Sequence, residues 1–381
     1  MKIVIVCDVL GEENNGTTIA AMNLIRHLKS QGHEIRILCA DEYRRGEEGV
    51  YVVPNRSFGK LLDAYVHKVG VTLAKPDEAV VREALNGVDH VHTMLPFTLG
   101  QAAARIAREM GISVTAGFHM QAQNFTSYVF LNKLAPLNHA VYLYVYRRLY
   151  RHVDAIHYPT EFIKRVFESH TGCTTPGYVI SNGVHDYVQP RTTPRPPEWG
   201  DKTVILTTGR YAREKSQDVL IRAVARSKHR DDILLILAGQ GVKEGSYRRL
   251  AKKLPNPPIF KLYDRNELID VLNAADLYAH PAEVELEGIA CLEAIACGKL
   301  TIVSDSRHAA TSSFAIDDSC ICKNRSPRDL ARVIDFWIEH PELRREYEQK
   351  YRASAKVYAQ DACMRQMESM IEEVYHAKKQ A

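Results

Sequence analysis

The sequence predicts an α/β fold built from two doubly wound parallel-sheet domains in tandem. Three observations predict it. Short apolar runs without polar alternation, such as Ile3-Val4-Ile5-Val6-Cys7 and Ile233-Leu234-Leu235-Ile236-Leu237, fit strands buried on both faces, as parallel sheets require. Stretches with helical apolar spacing separate these runs. A proline-rich break at residues 189–200 divides two such series of similar length.

The first series opens with the strand at 3–7, which ends at Asp8. Residues 17–31 follow, with Ile19, Met22, Ile25 and Leu28 at helical spacing and Gly32 placed to stop the helix. Residues 34–39 read as the next strand. Further strands are expected at 88–92, 112–116, 153–157 and 177–181, with helices near 98–110 and 160–169. Residues 189–200 hold four prolines, so they continue neither a helix nor a central strand and read as a linker. The pattern then restarts, with strands at 204–206, 233–237, 258–262, 277–279 and 300–303. Helices are expected at 216–227, 266–274 and 288–297, and helical segments at 327–339 and 342–376 close the chain. The expected division is a Rossmann-like domain at 1–188, the linker at 189–200, a second Rossmann-like domain at 201–355 and a closing segment at 356–381. Ligands of such sheets bind beyond the carboxyl ends of the strands, so two such edges facing each other would form a deep cleft.

Composition narrows the function classes. With 381 residues, 45% of them hydrophobic, the chain has ample material for a core, which excludes a disordered protein. The 50 basic and 46 acidic residues give a net charge of +4, and neither half forms a basic arm, which argues against a nucleic-acid binder. The eight cysteines, 7, 39, 173, 291, 297, 320, 322 and 363, contain no C-x-x-C pair. Cys320 and Cys322 lack a second Cys or His pair at zinc spacing, so reduced structural thiols in the cytoplasm are the expectation. The first residues read as a strand rather than a signal peptide, and no apolar run approaches the roughly 20 residues of a membrane span.

The stretch from His280 to Gly298 carries the chemistry. A strand ends at His280-Pro281, an acidic loop holds Glu283, Glu285 and Glu287, and a helix runs from Gly288 to Gly298. The helix start offers free N–H groups at Gly288, Ile289 and Ala290, which suit an anion. Glu285 precedes that point and Glu293 follows it. This layout fits a ligand with a diphosphate in the middle and hydroxyl-rich groups at both ends, as in a nucleotide-sugar. A solvated acidic loop and a surface helix residue would produce the same letters. Arg210 and Lys215, directly after the strand at 203–208, are cations where a diphosphate needs them, or else part of a solvated basic turn. Gly239 and Gly241 also follow a strand, but Glu244 stands where a third glycine of a dinucleotide fingerprint would be.

Glu285 and Glu293 in E-x7-E, Gly209 with Arg210 and Lys215, the G-x-G at 239–241 and Asn182-Gly183-Val184 resemble the retaining GT-B glycosyltransferases of family 4, over nearly the whole chain. The resemblance implies a nucleotide-sugar donor held by the second domain. Arg210, Lys215 and the amides of Gly288, Ile289 and Ala290 would hold the diphosphate, with Gly239 nearby, Glu293 the ribose hydroxyls and Glu285 the transferred sugar. His119 matches the family's histidine toward sugar and acceptor, with Gln121 beside it, and Asn15, Gly16 and Thr17 match the glycine loop near diphosphate and acceptor. A satisfied core histidine and a simple helix cap are the ordinary alternatives for these. The resemblance further implies retention of configuration by front-side displacement, a final helix crossing back to the first domain, and hinge closure about 182–200. The chain departs from the family in having Glu287 where an aromatic residue is common, His185 where an aspartate is common, and a single clear glycine, Gly16, in the N-terminal loop.

No D-x-D occurs, so neither a metal nor any other cofactor is expected; the nucleotide-sugar is a co-substrate. The acceptor is less legible. Residues 125–152 are rich in tyrosine and aliphatic residues and end in Arg147, Arg148 and Arg151. They fit an anionic membrane surface on the inner, cytoplasmic face, or a helix pair packed under the first sheet. His119-Met120-Gln121 together with 285–293 is similar to bacterial diacylglycerol glucosyltransferases, which implies a membrane glycolipid precursor as acceptor. A soluble or other lipid acceptor, a nucleotide-sugar epimerase, and a non-catalytic nucleotide-sugar binding module stay open. The sequence carries no reading of oligomeric state.

Overall fold

The computed structural model describes residues 1–8, 10, 16–56, 73–122 and 135–380. The chain forms two compact units, Met1–Asn182 with Asp361–Ala381, and Gly183–Gln360.

The first unit holds a seven-stranded sheet of β1 (Lys2–Val6), β2 (Glu34–Cys39), β3 (Val50–Val52), β4 (His90–Thr93), β5 (Ser113–Gly117), β6 (Ala155–Tyr158) and β7 (Gly177–Val179). Its order is β3-β2-β1-β4-β5-β6-β7, and the pairings are parallel. Ile3, Val4 and Ile5 are fully buried, as a strand covered on both faces must be. The final helix, Gln360–Gln380, presents Met364, Met367 and Ile371 at helical spacing, and these enter the core formed by Leu24, Ile25 and Leu28.

The second unit holds β8 (Thr203–Thr208), β9 (Ile233–Ala238), β10 (Ile259–Lys261), β11 (Leu277–His280), β13 (Thr301–Ser304) and β15 (Ile321–Cys322), in the order β10-β9-β8-β11-β13-β15. Both sheets therefore reverse direction next to their first strand, between β1 and β4 and between β8 and β11. Such switch points open the crevice in which ligands of doubly wound sheets bind. A two-stranded ribbon of β12 (Val284–Glu285) and β14 (His308–Ala309) sits beyond β11 and β13.

Three expectations need correction. The division falls at Asn182 and Gly183 rather than at the prolines. Residues 189–200 belong to the second unit: Trp199 is buried in its core, and the Arg191 amide donates to Asn273 Oδ1 at 2.9 Å. The run 342–376 is two helices, Pro341–Ser354 and Gln360–Gln380, split by the 3₁₀ turn Ala355–Tyr358. Strands β3, β12, β14 and β15 have only two or three residues each, too few to show a period in the sequence, and the helices Glu78–Leu85 and Glu244–Ala251 add to the expected elements.

Candidate functional site

The loop after β8 and the loop after β9 are clamped together. The Gly209 amide donates to Ala238 O at 3.0 Å, and the Tyr211 amide to Gln240 O at 2.8 Å. Tyr211 is buried and its hydroxyl donates to Leu237 O at 2.6 Å. A side chain at Gly239 would run into Gly209 O, and a Cβ at Gly241 would lie 2.7 Å from Tyr211 O. The G-x-G thus serves this close packing, which fixes the course of 209–215. Arg210 stays largely exposed, with Glu214 at 3.7 Å.

Lys215 and Glu285, given separate duties by the sequence, are brought into one ion pair between Nζ and Oε2. Glu285 lies on β12, so it is a ribbon residue rather than part of a helix shared with Glu293. His280 Nε2 lies 3.3 Å from the same carboxylate oxygen. On its other side His280 Nδ1 is 3.2 Å from Tyr278 Oη, which is 2.7 Å from Thr208 Oγ1. An ionised carboxylate only accepts, so His280 Nε2 carries a proton directed at Glu285. Burial alone would raise the Glu285 pKa, but the Lys215 charge and the His280 hydrogen bond outweigh it and hold the group at about 2. Sequence reasoning passed over His280. Its signal was position: the last residue of a strand at the ligand edge, two residues from Tyr278 and so on the same face.

The neighbouring carboxylates differ. Glu283 pairs with Arg325 at 2.9 Å, and Glu287 is buried. Helix Ile289–Ala296 starts at Gly288, which has φ +91°, a left-handed conformation that favours glycine. A Cβ there would lie 2.5 Å from Thr311 Cγ2 and 3.1 Å from Glu285 Cγ. The amides of Gly288, Ile289 and Ala290 stand where no preceding turn supplies acceptors. Glu293, in the same helix, is partly buried; burial raises its pKa to about 7 against the pull of Arg265. One ionised and one protonatable carboxylate thus flank a helix start, with Lys215 paired to the first of them.

In the first unit, His119 follows β5 and lies edge-on to His157, ring centroids 5.4 Å apart. Burial lowers its pKa to about 3, so it is neutral. Gln121 is buried. Gly16 opens helix Gly16–Ser30 and is exposed, with Thr17 beside it; a Cβ at Gly16 would meet nothing within 4 Å. Asn15 lies outside the described residues, as do 123–134 of the tyrosine-rich segment. In the remainder, Tyr142 and Tyr150 are buried around Phe118, while Tyr144 is exposed. Arg147, Arg148 and Arg151 line a surface groove of about 700 Å³ with Arg105, Arg108 and His152. No helix among the described residues is long and apolar enough to cross a membrane. One group among them, His33 with Glu368 and Glu372, gathers metal-ligating atoms within 4.8 Å of one another. His33 precedes β2, at the amino end of the sheet, opposite its ligand edge.

Comparison with known proteins agrees with this layout. Residues 14–186 match the model of Glycosyltransferase Family 4, and residues 190–354 that of Glycosyl transferases group 1. A GDP-mannose-dependent alpha-(1-6)-phosphatidylinositol dimannoside mannosyltransferase of Mycobacterium tuberculosis is 31% identical over 150 residues. That match spans 39% of this chain and 39% of the relative. The alpha-monoglucosyldiacylglycerol synthase of Streptococcus pneumoniae is 23% identical over 315 residues, 78% of this chain and 70% of that protein. HepE of Anabaena, solved with UDP, superposes with a TM-score of 0.75 at 15% identity, over 98% of this chain and 100% of that one, which shows a shared fold.

Proposed function

This chain belongs to the glycosyltransferases of GT-B fold, a family 4 domain followed by a group 1 domain, and from that premise we propose that it moves a hexose from a nucleotide-sugar to a hydroxyl of a membrane glycolipid precursor such as diacylglycerol. The observation that carries the donor half is the cluster at the β8/β11 switch point: Lys215 and His280 on Glu285, beside the helix start at Gly288. A UDP-sugar is the favoured donor. HepE was solved with UDP and supports that choice, while the mycobacterial relative supports GDP-mannose as the second reading.

In the proposed reaction the bond from the anomeric carbon to the β-phosphate oxygen breaks, and a bond to the acceptor oxygen forms on the same face. The acceptor proton passes to the leaving diphosphate. Arg210 and the amides of Gly288, Ile289 and Ala290 stabilise the charge that grows on that leaving group, as preorganised donors do. Lys215 shares its charge between Glu285 and the diphosphate. Glu285 positions the sugar and steadies the developing positive charge, and His119 of the first unit serves the sugar or acceptor. The relatives whose names carry phosphatidylinositol dimannoside and monoglucosyldiacylglycerol support a lipid acceptor, as do the arginines around 147–151, which suit an anionic headgroup surface.

The test is turnover of UDP-, GDP- and ADP-sugars with diacylglycerol in vesicles, with and without EDTA. Lipid-dependent release of one nucleotide diphosphate, with α-linked product and no loss in EDTA, is the expected result. Turnover of donor without acceptor would favour the epimerase, and donor binding without turnover the binding module.

A further inference from the structure

We propose that His92 is a positioning residue that decides which ring nitrogen of His119 carries the proton. The inference rests on the reading above that His119 serves the sugar or acceptor.

The starting point is sheet register. His90 pairs with Ser113 and His92 with Thr115 across β4 and β5, and Gly117 pairs with His157 across β5 and β6. Side chains alternate along a strand, so His90, His92, Ser113, Thr115 and His157 share one sheet face, with the bare position of Gly117 among them.

The hydrogen bonds on that face have one possible direction. Ser113 Oγ donates to the carbonyl of Asp89 at 3.0 Å, which uses its single proton. Its 2.7 Å contact with His90 Nδ1 therefore has the nitrogen donating. Burial keeps His90 neutral, with its pKa near 3, so its Nε2 accepts from the Thr115 hydroxyl at 2.7 Å. Thr115 then accepts from His92 Nδ1–H at 2.8 Å. Burial lowers the His92 pKa as well, so its Nε2 holds a lone pair. His157 reaches the same state independently: its Nε2 donates to Ile180 O at 2.7 Å, which leaves a lone pair on Nδ1. Among the described residues, His92 Nε2, His157 Nδ1 and His119 Nε2 are buried without a hydrogen-bond partner.

Gly117 leaves the space that two of these atoms border. A Cβ there would lie 2.7 Å from His119 Nε2 and 3.6 Å from His92 Nε2, so a side chain at 117 would occupy the space into which His119 folds back. In a buried site, a lone pair on His119 Nε2 set against the fixed lone pair of His92 is repulsive, whereas an Nε2–H is attracted to it. The relay that begins at the Asp89 carbonyl thus selects the Nε2–H form of His119. Its Nδ1 is left as the acceptor for a substrate hydroxyl, a contact of the kind that tightens when substrate binds.

The test is nitrogen-15 NMR of the full chain with labelled histidine, read together with kinetics of Thr115→Val and Thr115→Ser. Wild type is expected to show His119 protonated at Nε2 and bare at Nδ1. Thr115→Val cuts the relay without removing a histidine; it should give mixed His119 tautomers and lower kcat about 10²-fold at unchanged donor KM. Thr115→Ser should restore both. An Nδ1–H form of His119 in wild type, or a Thr115→Val spectrum like wild type, would overturn the proposal without touching the transferase reading. Altered tautomers with unchanged kcat would overturn the positioning role. Failure of the transferase reading itself would appear separately, as absent transfer by a wild-type protein whose spectrum is as expected.

Discussion

Lys215 and Glu285 form an ion pair that ties the loop after β8 to strand β12, and His280 holds the same carboxylate oxygen from the end of β11. Both partners are largely shielded, with side chains 19% and 13% exposed. Removing one partner strands the other charge, which costs more than the pair itself contributes.

Glu285→Gln is therefore expected to abolish transfer, keep nucleotide binding and lose about 3 kcal/mol of stability by urea unfolding. Lys215→Met added to it should recover much of the stability and none of the transfer. The pH dependence has a definite sign. Glu285 has a folded pKa of about 2, below the ordinary carboxylate value, so its stabilisation is complete above about pH 4.5 and fades as pH falls toward 2. Wild type and Glu285→Gln should converge in stability over that window; a constant gap would sink the assignment.

Glu293 has the opposite sign. Its folded pKa of about 7 means that the folded state favours the protonated form, so its contribution to stability is present below the ordinary carboxylate value and lost as pH rises through 7. Binding follows the other direction, because only the carboxylate accepts from both hydroxyls of a ribose. UDP affinity by calorimetry is expected to rise about tenfold from pH 6 to pH 8 beyond the change seen in Glu293→Gln. Equal pH profiles in the two proteins would remove the ribose role.

Gly288→Ala places a methyl group against Thr311 and Glu285 at a residue with φ +91°. The backbone strain alone costs about 1 kcal/mol or more. A lower Tm with loss of transfer is expected, and full activity would show that the helix start lies outside the donor site.

Charge reversal of Arg147, Arg148 and Arg151 should weaken sedimentation with anionic vesicles, each arginine supplying about 1 kcal/mol near such a surface. Binding to neutral vesicles alone, or no change in the triple variant, would remove this groove as the membrane contact.

The sheets and the ligand edge were legible because their signals are local. Apolar runs such as 3–7 and 233–237 mark doubly covered strands, and the residues just beyond β8, β9 and β11 fall at the carboxyl edge whatever the packing. The boundary at Asn182 was not legible, because prolines report where regular structure stops and not which core Trp199 enters. The ribbon of β12 and β14 was hidden for a similar reason: two residues show no period.

By itself the sequence determined two parallel α/β units, a helix start at Gly288 and carboxylates on either side of it. Tertiary structure alone decided that Lys215 and Glu285 share one ion pair, that His280 holds it, and that His90, Thr115 and His92 line up on one sheet face. These residues come from strands and loops distant in the chain. Their contacts depend on strand order and register, which no single segment encodes.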